Sequence, residues 1–369
     1  MRSVVVLGLV VFALAAAACA SDAGDENHGA DASEIPSTGD QELARVAADA
    51  VAAHEIPAVA VARVGLDAVV RTGVAGTRAH GDDTAVTADS RFHLGSDTKA
   101  MTAVLVAQLV ESGDVHLDAH LSDLLPDAQV DSRLHSLTIR EVLGHRTGLA
   151  DDLDLRALHA ATDPVAARRE AVYEALREPE GDPGSYAYAN VNYMLAGVLV
   201  EELTGRPWSD VMEEQIFTPL GMTTCGFGAP TGALDPLGHT ADGTPIPQDA
   251  PVTDNPAAMG PAGTVHCSIG DWAKFVGAML HALTGTDSDV LSAAAAADLF
   301  AGTETYVAGW LRSEKSDEVT YGHDGSNTLW YARAVLRPGQ GDAVLVAVNT
   351  GEEDGVRAVD QLTSLLLGD

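Results

Sequence analysis

Ser96 and Lys99 stand three residues apart in Arg91-Phe92-His93-Leu94-Gly95-Ser96-Asp97-Thr98-Lys99, directly ahead of the apolar stretch from Ala100 to Val110. At a helix start, two residues at that spacing share one face. The ammonium then lies within hydrogen-bond reach of the hydroxyl and favours its alkoxide. The helix N-terminus adds partial positive charge and free N–H groups. Such an arrangement activates a serine without a histidine base. Alone, S-x-x-K is a short pattern whose lysine is ordinarily a surface residue. Lysine is scarce here, however, with Lys99, Lys274 and Lys315 the only ones in the chain.

Two further groupings could act on such a serine. Pro183-Gly184-Ser185-Tyr186-Ala187-Tyr188-Ala189-Asn190 sits at a loop-to-helix junction. From there the Tyr188 phenol can relay a proton, and the Asn190 amide can hold a substrate carbonyl or fix the lysine. A lone Y-x-N would otherwise be a surface tyrosine with its tip in water. Tyr321-Gly322-His323-Asp324-Gly325-Ser326-Asn327 reads as a strand edge where glycine lets a substrate backbone lie close. An isolated histidine there would ordinarily be structural.

The order changes that balance. S-x-x-K, Y-x-N 92 residues on and His-x-Gly 135 residues further resemble the serine β-lactamase and penicillin-recognising enzyme superfamily. The match is similar to the branch of class C β-lactamases, D-alanyl-D-alanine carboxypeptidases and related esterases. That branch has Tyr-x-Asn where class A has Ser-Asp-Asn. Supporting stretches are Arg91-Phe92, His145-Arg146-Thr147-Gly148-Leu149, Phe217-Thr218-Pro219-Leu220-Gly221-Met222 and Ala262-Gly263. The resemblance covers roughly Asp40 to Leu367.

The resemblance implies roles by position. Ser96 would be acylated, Lys99 would ease its deprotonation, and Tyr188 would pass the proton to the leaving group. Asn190 would orient the acyl side chain and the lysine. The N–H groups of Ser96 and Ser326 would form the oxyanion hole, each donor worth about 10²–10³ in rate. His323 takes the place lysine holds in β-lactamases and is similar to the His-Thr-Gly of some carboxypeptidases. No cofactor and no metal is implied. His116 and His120 are four apart but lack a third ligand.

Asp324 departs from the pattern. Penicillins and D-Ala-D-Ala peptides carry a carboxylate that the family binds through hydroxyls in the third motif. An aspartate there is expected to place like charges together, at a cost of about 1 kcal/mol or more. Ser326 keeps one hydroxyl, and Arg312 upstream is a candidate to restore positive charge. The alternative is that Asp324 turns outward to solvent. The leading expectation is therefore a serine hydrolase of an ester or small amide. A D-alanyl-D-alanine carboxypeptidase or class C-like β-lactamase is the alternative, and a non-catalytic anchored binding lipoprotein is the third.

Several elements must position these residues. Gln41 to Glu55 has helical periodicity, and Pro57 to Val64 with Ala68 to Val74 reads as a hairpin. Ala166 to Leu176, Tyr188 to Leu203, Trp208 to Phe217 and Ser268 to Leu283 read as helices. Thr305 to Leu311, Val319 to Gly322, Leu329 to Leu336 and Ala343 to Asn349 read as strands before a closing helix from Val356 to Leu367. Strands at both ends predict an α+β fold: an antiparallel sheet built from both chain ends, flanked by helices, with an inserted, mostly helical lobe. Residues 41–112 and 305–369 would form the α/β lobe of a 41–369 hydrolase domain, and 113–304 the helical lobe.

Met1-Arg2, an apolar stretch from Val4 to Leu14 and Ala15-Ala16-Ala17-Ala18-Cys19-Ala20 predict an export signal over 1–18. Cleavage before Cys19 would leave a thiol for lipid attachment; Ala18-x-Ala20 would instead be an ordinary signal-peptidase site. Residues 19–40 would form an acidic tether. The expected place is the outer face of the cell membrane or the exterior. With 21 basic against 54 acidic residues, the net charge of −33 disfavours nucleic acid and anionic lipid as partners. A small-molecule or peptide substrate, a monomer, and membrane contact only through Cys19 are expected. Whether Cys225 and Cys267 pair stays open at this point.

Overall fold

The computed structural model describes residues 40–368 apart from 68, 69, 251, 252, 317 and 352. The expected export signal, the Cys19 anchor and residues 19–39 of the expected tether lie outside the described residues. Ten strands follow in chain order: β1 Ala58–Gly65, β2 Val70–Gly76, β3 Arg91–His93, β4 Gly226–Phe227, β5 Val265–Ser268, β6 Tyr306–Val307, β7 Trp310–Lys315, β8 Glu318–Ser326, β9 Tyr331–Arg337 and β10 Asp342–Val348. Seven make an antiparallel sheet in the order β2-β1-β10-β9-β8-β7-β6. β1 pairs with β10, Val59 opposite Val348, so both ends of the chain build one sheet. The fold is α+β. In a smaller sheet, β3-β5-β4, strand β3 leads into the Ser96 turn.

Alternation along the strands divides residue sizes between the two faces of the large sheet. Val59, Val61, Val344, Val346 and Val348 pack on Leu43 and Ala47 of the Gln41–His54 helix and on Val359 and Leu362 of the Glu353–Leu367 helix. Ala58, Ala60, Ala62, Ala332, Ala334, Ala343 and Ala347 face the main core. Side chains that small let the Ile269–Leu283 helix lie directly on the sheet. This helix falls inside the 113–304 segment expected to form the helical lobe, yet it packs against β1, β2, β9 and β10. Its N-cap is Ser268, whose hydroxyl accepts from Asp271 N–H at 3.3 Å.

The C-terminal strands differ in detail from the expectation. The stretch from Thr305 to Leu311 splits into β6 and β7, because Ala308 and Gly309 both take positive φ. β8 runs on to Ser326, so His323 lies within a paired strand with Ala334 opposite. Cys225 and Cys267 are joined by a disulfide that ties the segment before β4 to β5.

Candidate active site

Ser96 lies in a single 3-10 turn, Gly95–Asp97, that feeds the Thr98–Glu111 helix. That helix is buried on nearly every side, the mark of a central core helix, so the Ser96 turn stands on a rigid base. Gly95 has φ +50°, and a Cβ there would fall 2.3 Å from the backbone N of Ser326. A Cβ on Gly325 would fall 1.8 Å from Leu94 O. Only glycine at both places lets the Ser96 turn and β8 meet backbone to backbone. His93 and Asp254 brace this meeting. His93 Nδ1 accepts from Gly95 N–H at 3.0 Å, and its Nε2 lies 2.6 Å from Asp254 Oδ1. The same Oδ1 accepts from Asn327 Nδ2 at 3.1 Å.

Around the Ser96 hydroxyl the structure gathers the first two motifs. Lys99 Nζ and Tyr188 Oη each lie 2.9 Å from Ser96 Oγ. Lys99 also donates to Asn190 Oδ1 at 2.9 Å and to the Ala262 carbonyl at 2.6 Å. Its side chain is fully buried, and burial draws the ammonium down to about 7, against the pull of Asp151 and Asp97. Burial drives the Tyr188 phenol the other way, far above its ordinary value and against the hydrogen bond to Ser96. The pair is therefore a lysine able to shed its proton near neutrality and a tyrosine that keeps its own. An amine facing a hydroxyl that also accepts from a phenol is a general-base arrangement.

His323 stands on the core-facing side of β8, where its Nε2 lies within hydrogen-bond distance of Tyr306 Oη at 2.9 Å. Burial, then the Lys99 charge, brings the imidazole down to about 4. Nothing in the sequence singled out Tyr306, an isolated aromatic on a two-residue strand. His145 was quoted only as part of a supporting stretch. Its ring centroid lies 4.3 Å from that of Tyr188 and 4.5 Å from that of Tyr306. Its Nδ1 accepts from Ala189 N–H at 3.2 Å, which pins the backbone beside Tyr188. Asp151, which no motif contained, binds Asn190 from the neighbouring loop.

Asp324 requires a correction. Alternation along β8 turns it to the face opposite His323, with Arg333 of β9 as its register partner. Its carboxylate forms a two-armed ion pair with the Arg333 guanidinium, one arm being Nη2 to Oδ2 at 3.1 Å. Arg333 is buried and also pairs with Asp360 of the closing helix. The expected like-charge clash in the cleft and the expected outward turn to solvent are both replaced by this pair. Arg312 supplies no charge there either, because it pairs with Glu314 on its own strand at 2.6 Å. The Ser326 hydroxyl is committed as well: it donates to Trp330 O and accepts from Thr328 N–H, both at 2.9 Å.

Comparison with known proteins identifies the family. The beta-lactamase family model matches residues 43–367. The chain is 32% identical to "Penicillin-binding protein 4" of Amycolatopsis lactamdurans over 81% of this chain and 82% of that one. It is 29% identical to "Unguisins hydrolase ungD" of Aspergillus violaceofuscus over 66% of this chain, spanning only 45% of that relative's length. Its fold is similar to that of D-amino acid amidase from Ochrobactrum anthropi SV3, with TM-score 0.69, 22% identity, and coverage of 88% of this chain and 97% of that one. With the matched span running from the first helix to the last, the chain belongs to the beta-lactamase family.

Proposed function

We propose that the protein is a serine hydrolase that forms an acyl-enzyme on Ser96, its substrate an ester or small amide with no carboxylate on the leaving side. The observation that carries the reading is Ser96 Oγ held 2.9 Å from both Lys99 Nζ and Tyr188 Oη. In the neutral state Lys99 takes the hydroxyl proton as Oγ attacks the acyl carbon. The N–H groups of Ser96 and Ser326, brought together by Gly95 and Gly325, face the developing oxyanion. Tyr188 then donates to the leaving atom and is reprotonated from the Lys99 ammonium. Water repeats the steps in reverse on the acyl-enzyme.

The substrate class follows from the third motif. Its histidine is neutral at neutral pH, its serine hydroxyl is committed within the turn, and its aspartate points to the other face of the sheet. None of the three offers charge or a free hydroxyl proton to a substrate carboxylate. The second reading, a D-alanyl-D-alanine carboxypeptidase or β-lactamase, is favoured by the 32% identity to a penicillin-binding protein.

The test is a panel of p-nitrophenyl acetate, a chromogenic cephalosporin and a D-Ala-D-Ala peptide on wild type and Ser96→Ala, with a fluorophosphonate probe followed by mass. We expect ester turnover, one adduct at Ser96, and neither in the variant. Turnover confined to the anionic substrates moves the second reading to first place. Wild-type turnover that persists in Ser96→Ala removes both.

A further inference from the structure

This inference rests on the hydrolase reading and concerns Asp151, which lies outside the three motifs. The helix Asn190–Thr204 starts from Ala189, whose side chain cannot cap it. Asp151 takes that place from a separate loop. Its Oδ1 accepts from the N–H of Asn190 at 2.7 Å and of Val191 at 3.4 Å. Its Oδ2 accepts from Asn190 Nδ2 at 3.0 Å. An ionised carboxylate accepts and never donates, so the Asn190 amide must present its NH₂ to Asp151. Its Oδ1 is then left facing Lys99 Nζ at 2.9 Å.

That orientation decides where the lysine lone pair points. The ammonium has three N–H bonds and three acceptors around it: Ser96 Oγ, Asn190 Oδ1 and Ala262 O. The neutral amine has two N–H bonds and one lone pair. Ala262 O is a carbonyl and Asn190 Oδ1 is held as an acceptor, so these two retain the N–H bonds. Only Ser96 Oγ can donate, and the lone pair is left to it. A turned amide would instead present NH₂ to the amine and compete with Ser96 for that lone pair.

We propose that Asp151 is a positioning residue for the proton transfer from Ser96: by locking the Asn190 amide in one orientation it aims the lone pair of neutral Lys99 at Ser96 Oγ. In that step the Ser96 O–H bond breaks, the proton goes to Nζ, and Oγ bonds to the acyl carbon. The groups that face Lys99 are Asp97 on its own turn, Asp151, and the rings of Tyr188 and Tyr193 at 4.9 and 5.8 Å from Nζ. His145 and His323 complete the set, and burial and the Lys99 charge hold both neutral.

The test compares Asp151→Asn, Asp151→Ala and Asp151→Glu in the full chain, with p-nitrophenyl acetate turnover from pH 5 to 9 and melting temperature. Asparagine can still cap the helix, but it removes the charge and can donate, so the Asn190 amide is free to turn. We expect Asp151→Asn to lose tenfold or more in kcat at pH 8 with KM within twofold. Its acid limb should move to lower pH, because a carboxylate favouring the lysine charge is gone. Asp151→Glu should recover part of the rate, and Asp151→Ala should lose as much as asparagine while also melting earlier. Asp151→Asn activity within twofold of wild type with an unmoved limb overturns the proposal. So does a loss that follows melting temperature alone. Fluorophosphonate labelling keeps the two readings apart: a wild type that labels at Ser96 but is indifferent to Asp151 sinks only this inference, whereas an unlabelled wild type sinks both.

Discussion

Tyr306 Oη lies 2.9 Å from His323 Nε2, and burial raises the Tyr306 phenol far above its ordinary value, so it keeps its proton. The imidazole beside it is neutral near pH 7. Burial followed by the Lys99 charge brings it down to about 4.

Stability should therefore fall on the acid side. The unfolded histidine takes up a proton near pH 6.5 and the folded one does so only near 4, so stability present above 6.5 is lost as pH falls through that window. Replacing His323 with glutamine, which can still accept from Tyr306, should remove about 2 kcal/mol of the stability difference between pH 8 and pH 5. Denaturant unfolding at the two pH values measures it. An unchanged difference would mean that His323 is charged in the folded protein.

Lys99 carries the opposite consequence for rate. Its ammonium, drawn down to about 7, must lose the proton to act as base, so kcat/KM for a neutral ester should climb through pH 7 and level off above it. His323→Gln should leave that limb where it is, since His323 titrates near 4. Lys99→Arg should lose on the order of 10²–10⁴ in rate and the limb with it, because arginine does not give up its proton at these pH values. A limb that survives in the arginine variant would assign it to another group.

Asp324→Thr is expected to act on stability and not on specificity. The Asp324 carboxylate faces away from His323 and serves the buried Arg333, which would still pair with Asp360. A loss of about 1–2 kcal/mol follows from weakening a partly exposed pair. The kcat/KM ratio of an anionic substrate to a neutral ester should stay within twofold of wild type at low salt. A rise toward tenfold would place the carboxylate's field in the cleft after all.

Sequence spacing carried the sheet from both ends, the hairpin at β1 and β2, the Ser268 cap and the order of the three motifs. These depend on local periodicity or on residue types that have few other uses together. The side of the sheet that Asp324 faces is legible in the sequence as well. A hairpin turning at 327–330 sets Asp324 opposite Arg333, and strand alternation then places it on the face away from His323. The compensating charge lies across that turn in Arg333, and Arg312 upstream is spent on Glu314. Asp151 and Tyr306 leave no local trace. One caps a helix that starts 39 residues later, and the other matters only because β6 lies near His323. The Cys225–Cys267 bond likewise depends on β4 and β5 pairing, and two-residue strands have no readable period.

The close approach of Gly95 to Ser326 has a consequence for synthesis. Ser96, Lys99, Tyr188 and Asn190 are all present once residue 190 has been made, but the Ser326 N–H belongs to β8, and β8 is joined to β1 only through β9 and β10. On the mechanism proposed above, a chain halted before β8 would hold a nucleophile and its base with half an oxyanion hole. Hydrolysis would then gain its last factor of about 10²–10³ in rate only when the late strands have closed on the early ones. A nascent chain would stay slow toward esters for most of its translation, and the rise in turnover would time-stamp completion of the sheet.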